Sequence, residues 1–292
     1  MSPFKIINAS ERLKETKGAK IVIAGESGVG KTSLLFTLPA EETLFMDLEA
    51  GDIALSEWGG DTIRPETWEE ARNFACYFGG PNASLSPDMP YSQAHYDHLV
   101  KEWGDPASIH AKYKTLFVDS ITVAGRLSFR WCKQQDEVLT DKTKKINMLA
   151  VYGLHGREML DWLTQLQHVR DKNVVLVGIL DENTDEFNQK IFKIQVEGSK
   201  VGNELPGIVD ELITMRINRD ETGNSWREFV CLTDNPEGFP AKDRSGKLNT
   251  VEEPHLGKLL AKLVAPKTKT TAEILKHDIP NVQILTNSKE TT

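Results

Sequence analysis

The segment Gly25-Glu26-Ser27-Gly28-Val29-Gly30-Lys31-Thr32 constrains this chain more than any other. Two glycines with four residues between them, then Lys-Thr, spell a loop that curls tightly enough to aim backbone N–H groups at phosphate oxygens. That mechanism demands a buried strand before the loop and a helix after it, whose N-terminus adds partial positive charge. Residues 20–24 (KIVIA) have the apolar, β-branched run of a covered strand, and residues 32–38 begin a helix that Pro39 stops. ATP with Mg²⁺ is the expected ligand. Lys31 would reach the β- and γ-phosphates, and the Thr32 hydroxyl would ligate the metal.

Residues 43–47 (TLFMD), 114–119 (KTLFVD) and 173–180 (NVVLVGIL) read as three more strands, with helical stretches at 67–78, from 121 to about 138, and along an amphipathic segment ending near 170. This alternation predicts an α/β fold, a mostly parallel central sheet with helices on both faces and a ligand site at the strands' carboxyl ends. Residues 211–218 and 226–233 flank a turn of Asp, Thr, Gly and Asn and predict a C-terminal antiparallel hairpin. The polar run 181–200 reads as partly loop. The expected organisation is an N-terminal extension (1–18), one ATPase domain (19–262) with a surface insertion at about 79–110, and a flexible tail (263–292). Within the insertion, residues 91–103 read as a short helix.

Asp119 closes the apolar strand KTLFVD, where a second carboxylate should hold the Mg²⁺ hydration shell, although an Asp before a helix also serves as a cap. The next residue is Ser120, not the Glu that many P-loop ATPases keep there as water-activating base. That base must therefore stand elsewhere. Glu49, just after the strand TLFMD, is the candidate, with Asp47 a weaker substitute.

The order of P-loop, DLEAG, FVDS, VVLVGIL and EGSKVGNELPGIVDEL, from Ala19 to Leu248, resembles the RecA-like ATPases of phages and bacteria, most of all the minimal phage single-strand annealing proteins. The resemblance implies that Glu49 is the catalytic glutamate beside Lys31, and that the partner is single-stranded DNA, in recombination, annealing or replication. Lys242 and Arg244 resemble the Lys-x-Arg-x-Gly stretch that hexameric helicases present to a neighbouring subunit's ATP, which implies a homo-oligomer, ring or filament. A solvated charged turn is the alternative. Candidate DNA contacts are Lys142, Lys144, Lys145, Lys190, Lys193 and Lys200, against the acidic run 181–186 that would repel phosphate.

A formal net charge of −8 excludes a protein coated in basic surface, so any nucleic-acid contact must be local. No apolar run approaches the roughly 20 residues of a membrane span, and the N-terminus lacks a secretory pattern, so a cytoplasmic location is expected. Cys76, Cys132 and Cys231 read as buried thiols; His95 and His98 lack companions at metal-ligand spacing. Trp226 and Phe229 read as packed hairpin aromatics before base-stacking ones. Two other functions fit the loop: an ATPase switch acting on a protein such as a helicase loader, and a small-molecule kinase.

Overall fold

A computed structural model describes residues 6–140, 144–184 and 186–265; Lys142, Asp185 and most of the expected tail lie outside the described residues. The strands are β1 (Lys20–Gly25), β2 (Thr43–Asp47), β3 (Asp61–Ile63), β4 (Thr115–Asp119), β5 (Asn173–Thr184), β6 (Lys190–Ile194), β7 (Glu211–Arg219), β8 (Ser225–Val230), β9 (Lys242–Asp243) and β10 (Val251–Glu252). Their order across the sheet is β10-β8-β7-β1-β5-β4-β2-β3. From β7 to β3 the pairing is parallel; β6, β8, β9 and β10 join antiparallel. The predicted α/β architecture and the β7–β8 hairpin are both present.

Strand alternation sends successive side chains to opposite faces, and the apolar runs supply both. Val22, Leu44, Met46, Leu116, Val118, Val174, Leu176 and Leu212 enter one core, and Ile21, Ile23, Phe45, Phe117, Val175, Val177, Ile213 and Met215 enter the other. The first core is covered by α2 (Trp68–Gly79), α5 (Ile121–Cys132), α6 (Met148–Gln167) and α7 (Ser199–Ile208). The second is covered by α8 (Leu256–Val264) and the turn after the P-loop. Each fully buried side chain of this size contributes about 1.5–3 kcal/mol. The local signals agree: Thr67 and Glu70 form a capping box on α2, and the Ser120 side chain caps α5.

Three expectations change in detail. The stretch after Thr32 forms a 3₁₀ helix over Thr32–Thr37, 6 residues, longer than this winding commonly runs. α5 ends at Cys132, with a separate 3₁₀ turn at Asp136–Val138. The insertion is not only surface. It folds as α3 (Gln93–Trp103) and α4 (Ala107–Lys112), and buries Tyr91 and Leu99 in the first core. The run 181–200 is partly loop, as expected, and its first residues are strand: β5 runs on beyond the sheet and returns as β6. Cross-strand charge explains it, since Asp181 faces Lys193 and the Glu182 carboxylate lies 2.7 Å from the Lys190 ammonium. The N-terminal α1 (Ala9–Lys14) buries none of its residues.

Candidate functional site: a phosphate cradle beside three carboxylates

β1 lies between β5 and β7 and ends at Gly25, which pairs with Ile179 and with Met215, while both neighbours run on past it, so the loop leaves β1 between two longer strands. The loop that follows turns through two left-handed glycines, Gly28 (φ 79°) and Gly30 (φ 103°). Between them Val29 is buried in the second core and pins the loop to the sheet. A Cβ built on Gly28 would meet nothing within 4 Å, so the loop is open where a ligand approaches. Lys31 folds back over it, its Nζ donating to the Gly25 and Glu26 carbonyls at 2.9 Å each. Burial lowers its pKa, opposed by the charges of Asp119, Glu49 and Glu26. Neutral carbonyls are weaker partners for an ammonium than phosphate oxygens, so the lysine is held in reach but can be displaced.

β4 ends on Asp119, paired with Val177 of β5 on one side and Asp47 of β2 on the other. The Thr32 hydroxyl donates to Asp119 Oδ2 at 2.5 Å, which joins the two expected metal ligands across 87 residues of sequence. Burial pushes the Asp119 carboxyl up to about 6, and Thr32's hydrogen bond works against that rise. A hydroxyl and a carboxylate in contact fit Mg²⁺, a hard cation that takes one or two protein oxygens and completes its octahedron with water and substrate phosphate.

Glu49 stands on the neighbouring turn. Asp47 Oδ1 accepts from the Glu49 and Gly51 backbone N–H groups at 3.0 and 3.3 Å, and the Leu48 N–H donates to the Asp119 carbonyl at 2.7 Å. Ala50 adopts a left-handed φ of 56° to close the turn. These bonds bring the exposed Glu49 side chain to Ser120, whose hydroxyl donates to Glu49 Oε1. Asp47 thus shapes the turn with one oxygen; its buried Oδ2 has no hydrogen-bond partner among the described residues, with Arg64 Nε 3.8 Å away. Ser120 both caps α5 and positions Glu49.

The remaining candidates lie apart from this cluster. Lys242 and Arg244 sit at the opposite end of the sheet, because Lys242 pairs with Leu212 near the start of β7. Both are committed to the C-terminus of α7: Lys242 donates to the Pro206 and Val209 carbonyls, and Arg244 to the Gly207 carbonyl and Asp210. Lys190 and Lys193 lie on β6 and Lys200 on α7, whereas Lys144 and Lys145 are exposed before α6. Phe229 is buried and Trp226 is 45% exposed, its indole N–H on Glu228. Sequence reasoning missed Arg227, which reaches from β8 to the P-loop. The available signal was its strand parity with Phe229.

The AAA_24 family, described as an AAA domain, matches residues 17–245. No curated protein sequence matches the chain. Among solved structures it is similar to the RadB recombinase, at 14% identity over 77% of this chain and 86% of that chain with a TM-score of 0.35. It is also similar to the flagellar accessory protein FlaH from Methanocaldococcus jannaschii, at 12% identity over 77% and 83% with a TM-score of 0.32. A third is a prototypical ATPase from the type III secretion system of pathogenic bacteria, at 14% identity and TM-score 0.37, covering 68% of this chain and 52% of that chain, so this chain spans about half its length. These weak likenesses transfer no activity or partner. With the family matched over more than three-quarters of its 292 residues, the chain belongs to the AAA domain family and is a P-loop ATPase on a mostly parallel α/β core.

Proposed function

We propose that this protein is a Mg²⁺-dependent ATPase whose nucleotide state controls a grip on single-stranded DNA, in recombination, annealing or replication. The observation that carries the chemistry is the contact chain Thr32–Asp119 and Ser120–Glu49 beside Lys31, at the carboxyl ends of adjacent strands. Thr32 and Asp119 would hold the metal, which would supply positive charge to offset the negative charge of the phosphates. Lys31 exchanges its loop carbonyls for phosphate oxygens. Glu49, exposed on its turn, accepts a proton from the water that attacks the γ-phosphate, with Ser120 fixing its direction.

The DNA half is supported by placement. β5 passes between β1 and β4, hence between the phosphate loop and Asp119, and continues into the ribbon that bears Lys190 and Lys193. A change at the nucleotide therefore acts directly on that ribbon, with Lys200 just beyond it and Lys144 and Lys145 on a second exposed connection. The experiment is ATP turnover with and without single-stranded DNA, alongside DNA binding at low salt. No stimulation and no binding would remove the DNA half and leave the ATPase.

Lys242 and Arg244 lie too far from their own P-loop to act there: Lys242 is level with Val22, three residues or about 10 Å before the end of β1, and Arg244 lies further back on Asp210. In an oligomer they would leave α7 for a neighbour's γ-phosphate. Mixing Lys31→Ala with Arg244→Ala subunits should then restore turnover that neither has alone; no recovery assigns the pair to capping α7. A protein partner is the second reading, favoured by Ile146, Met148, Leu149 and Tyr152, all 43–82% exposed at the start of α6.

A further inference from the structure

Arg227 lies 198 residues from the P-loop in sequence, yet its Nε donates to the Val29 carbonyl at 2.7 Å. β8 explains the reach. Arg227 and Phe229 share one face of the strand, and Phe229 is buried in the same core cluster as Val29, so the arginine stem runs alongside the loop's anchor. The guanidinium lies close over the next residue: a Cβ on Gly30 would be 3.2 Å from Arg227 Nε and 3.8 Å from Cζ.

The Val29 carbonyl and the Gly30 N–H belong to one planar, trans peptide unit, so they point in opposite directions. Tying the carbonyl outward to Arg227 aims the Gly30 N–H away from Arg227. Gly30 is also the residue at which the chain can turn most freely, with φ at 103° and no side chain to hold it. Without an outside partner this peptide plane has little to stop it rotating. A charged donor on the carbonyl additionally polarises the amide and strengthens the N–H on its other end.

The geometry points to Arg227 as a positioning residue for nucleotide binding: it fixes the Val29–Gly30 peptide so that the Gly30 N–H faces the phosphates. This rests on the nucleotide reading of the loop. Arg227 acts through the loop backbone, and its role belongs to binding, not to the attack of water. The β7–β8 hairpin thereby becomes part of the phosphate site.

Arg227→Met keeps the stem and removes donor and charge; Arg227→Lys keeps charge and one donor. One charge-assisted hydrogen bond lost behind the loop should raise Kd for Mg-ADP by calorimetry, and KM for ATP, about tenfold in Arg227→Met. We expect kcat to stay within about threefold, a split that separates binding from chemistry. Amide exchange should quicken over residues 26–32 alone, the nucleotide-free Tm should hold, and Arg227→Lys should recover most of the affinity. Unchanged Kd and exchange in Arg227→Met would overturn the role, as would a fall in kcat alone or a loss of affinity matched by a loss of Tm. Lys31→Ala separates the two levels: if it binds nucleotide like the parent, the nucleotide reading itself fails. If Lys31→Ala loses binding while Arg227→Met keeps it, only the role of Arg227 falls.

Discussion

The two ends of β1 carry similar inventories and opposite properties. At the amino end Lys20 is buried, its Nζ donating to the Gly18 and Lys172 carbonyls at 3.1 and 2.8 Å, near Glu211, a carboxyl only 1% exposed. At the carboxyl end Lys31 is buried on two carbonyls beside the carboxyl of Asp119. Both lysines are pulled below their ordinary pKa by burial, and both acids are pushed above theirs. What differs is the material around them. A Cβ on Gly18 would fall 1.9 Å from the Lys172 oxygen, whereas one on Gly28 would meet nothing within 4 Å. Buried charge alone therefore does not mark a site. Charge whose partners can be exchanged for a ligand's does.

The largest expected contrast is catalytic. Glu49→Gln should cut ATP turnover by about 10²–10⁴-fold while nucleotide still binds, the usual scale for losing a general base. Lys20→Met should leave turnover within about threefold, since no ligand chemistry is assigned to it. Steady-state hydrolysis with a parallel nucleotide titration reads both. A large loss from Lys20→Met would break the contrast.

Next in size is the pH dependence of stability. Burial, reinforced by the negative charge of Asp243, raises Glu211 from 4.5 to about 8, so the folded protein keeps a proton there that the unfolded chain releases. That stability is complete below about pH 4.5 and is lost as pH rises through about 8, at up to about 1.4 kcal/mol per unit. Lys20 is lowered from 10.5 to about 8 by burial, so between those values the unfolded chain holds the extra proton and stability rises with pH. Denaturant unfolding across pH 5–10 should show a minimum near 8, and Glu211→Gln should flatten the descending limb. A level profile from pH 5 to 8 in the parent would contradict it.

Glycine substitutions come third. Gly18→Ala forces a methyl into the Lys172 carbonyl and should cost about 1–3 kcal/mol or more, the range for overpacking. Gly28→Ala meets no atom, yet it sits at φ 79°, so about 1 kcal/mol of backbone strain is expected, with the main loss in nucleotide affinity. Thermal unfolding with and without Mg-ATP separates them. Equal fold losses would mean the loop is as tightly enclosed as the amino end.

The smallest effect is in metal binding. With Asp119 at about 6, its carboxylate must shed a proton to take Mg²⁺, so metal-dependent affinity should weaken as pH falls through 6, toward about tenfold per unit. Calorimetry at pH 5 and 7.5 checks the sign. Affinity that is pH-independent there would remove Asp119 from the metal.

The loop, its strand and the parallel sheet were legible because each follows from local spelling: glycine spacing, apolar runs and Asp119 at a strand end. Glu49 needed a resemblance, because only folding brings its turn to Ser120. Within the partly looped run 181–200, the strand at 181–184 was not legible, since its polarity hides a ladder that exists once Lys190 and Lys193 return opposite it. Leu99 and Tyr91 looked like surface until α3 closed over α2. Strand parity with Phe229 put Arg227 on the core-facing side of its strand, but its partner is a backbone carbonyl, which no residue pattern encodes.

β5 is 12 residues long, and only its first part lies in the parallel sheet. A beam clamped at one end, about 40 Å overall, turns a slight tilt at its root into a wider sweep at its free tip. Whatever touches the Lys190–Ile194 strand is in leverage with the clamp, and force applied from outside would travel inward along the same rod.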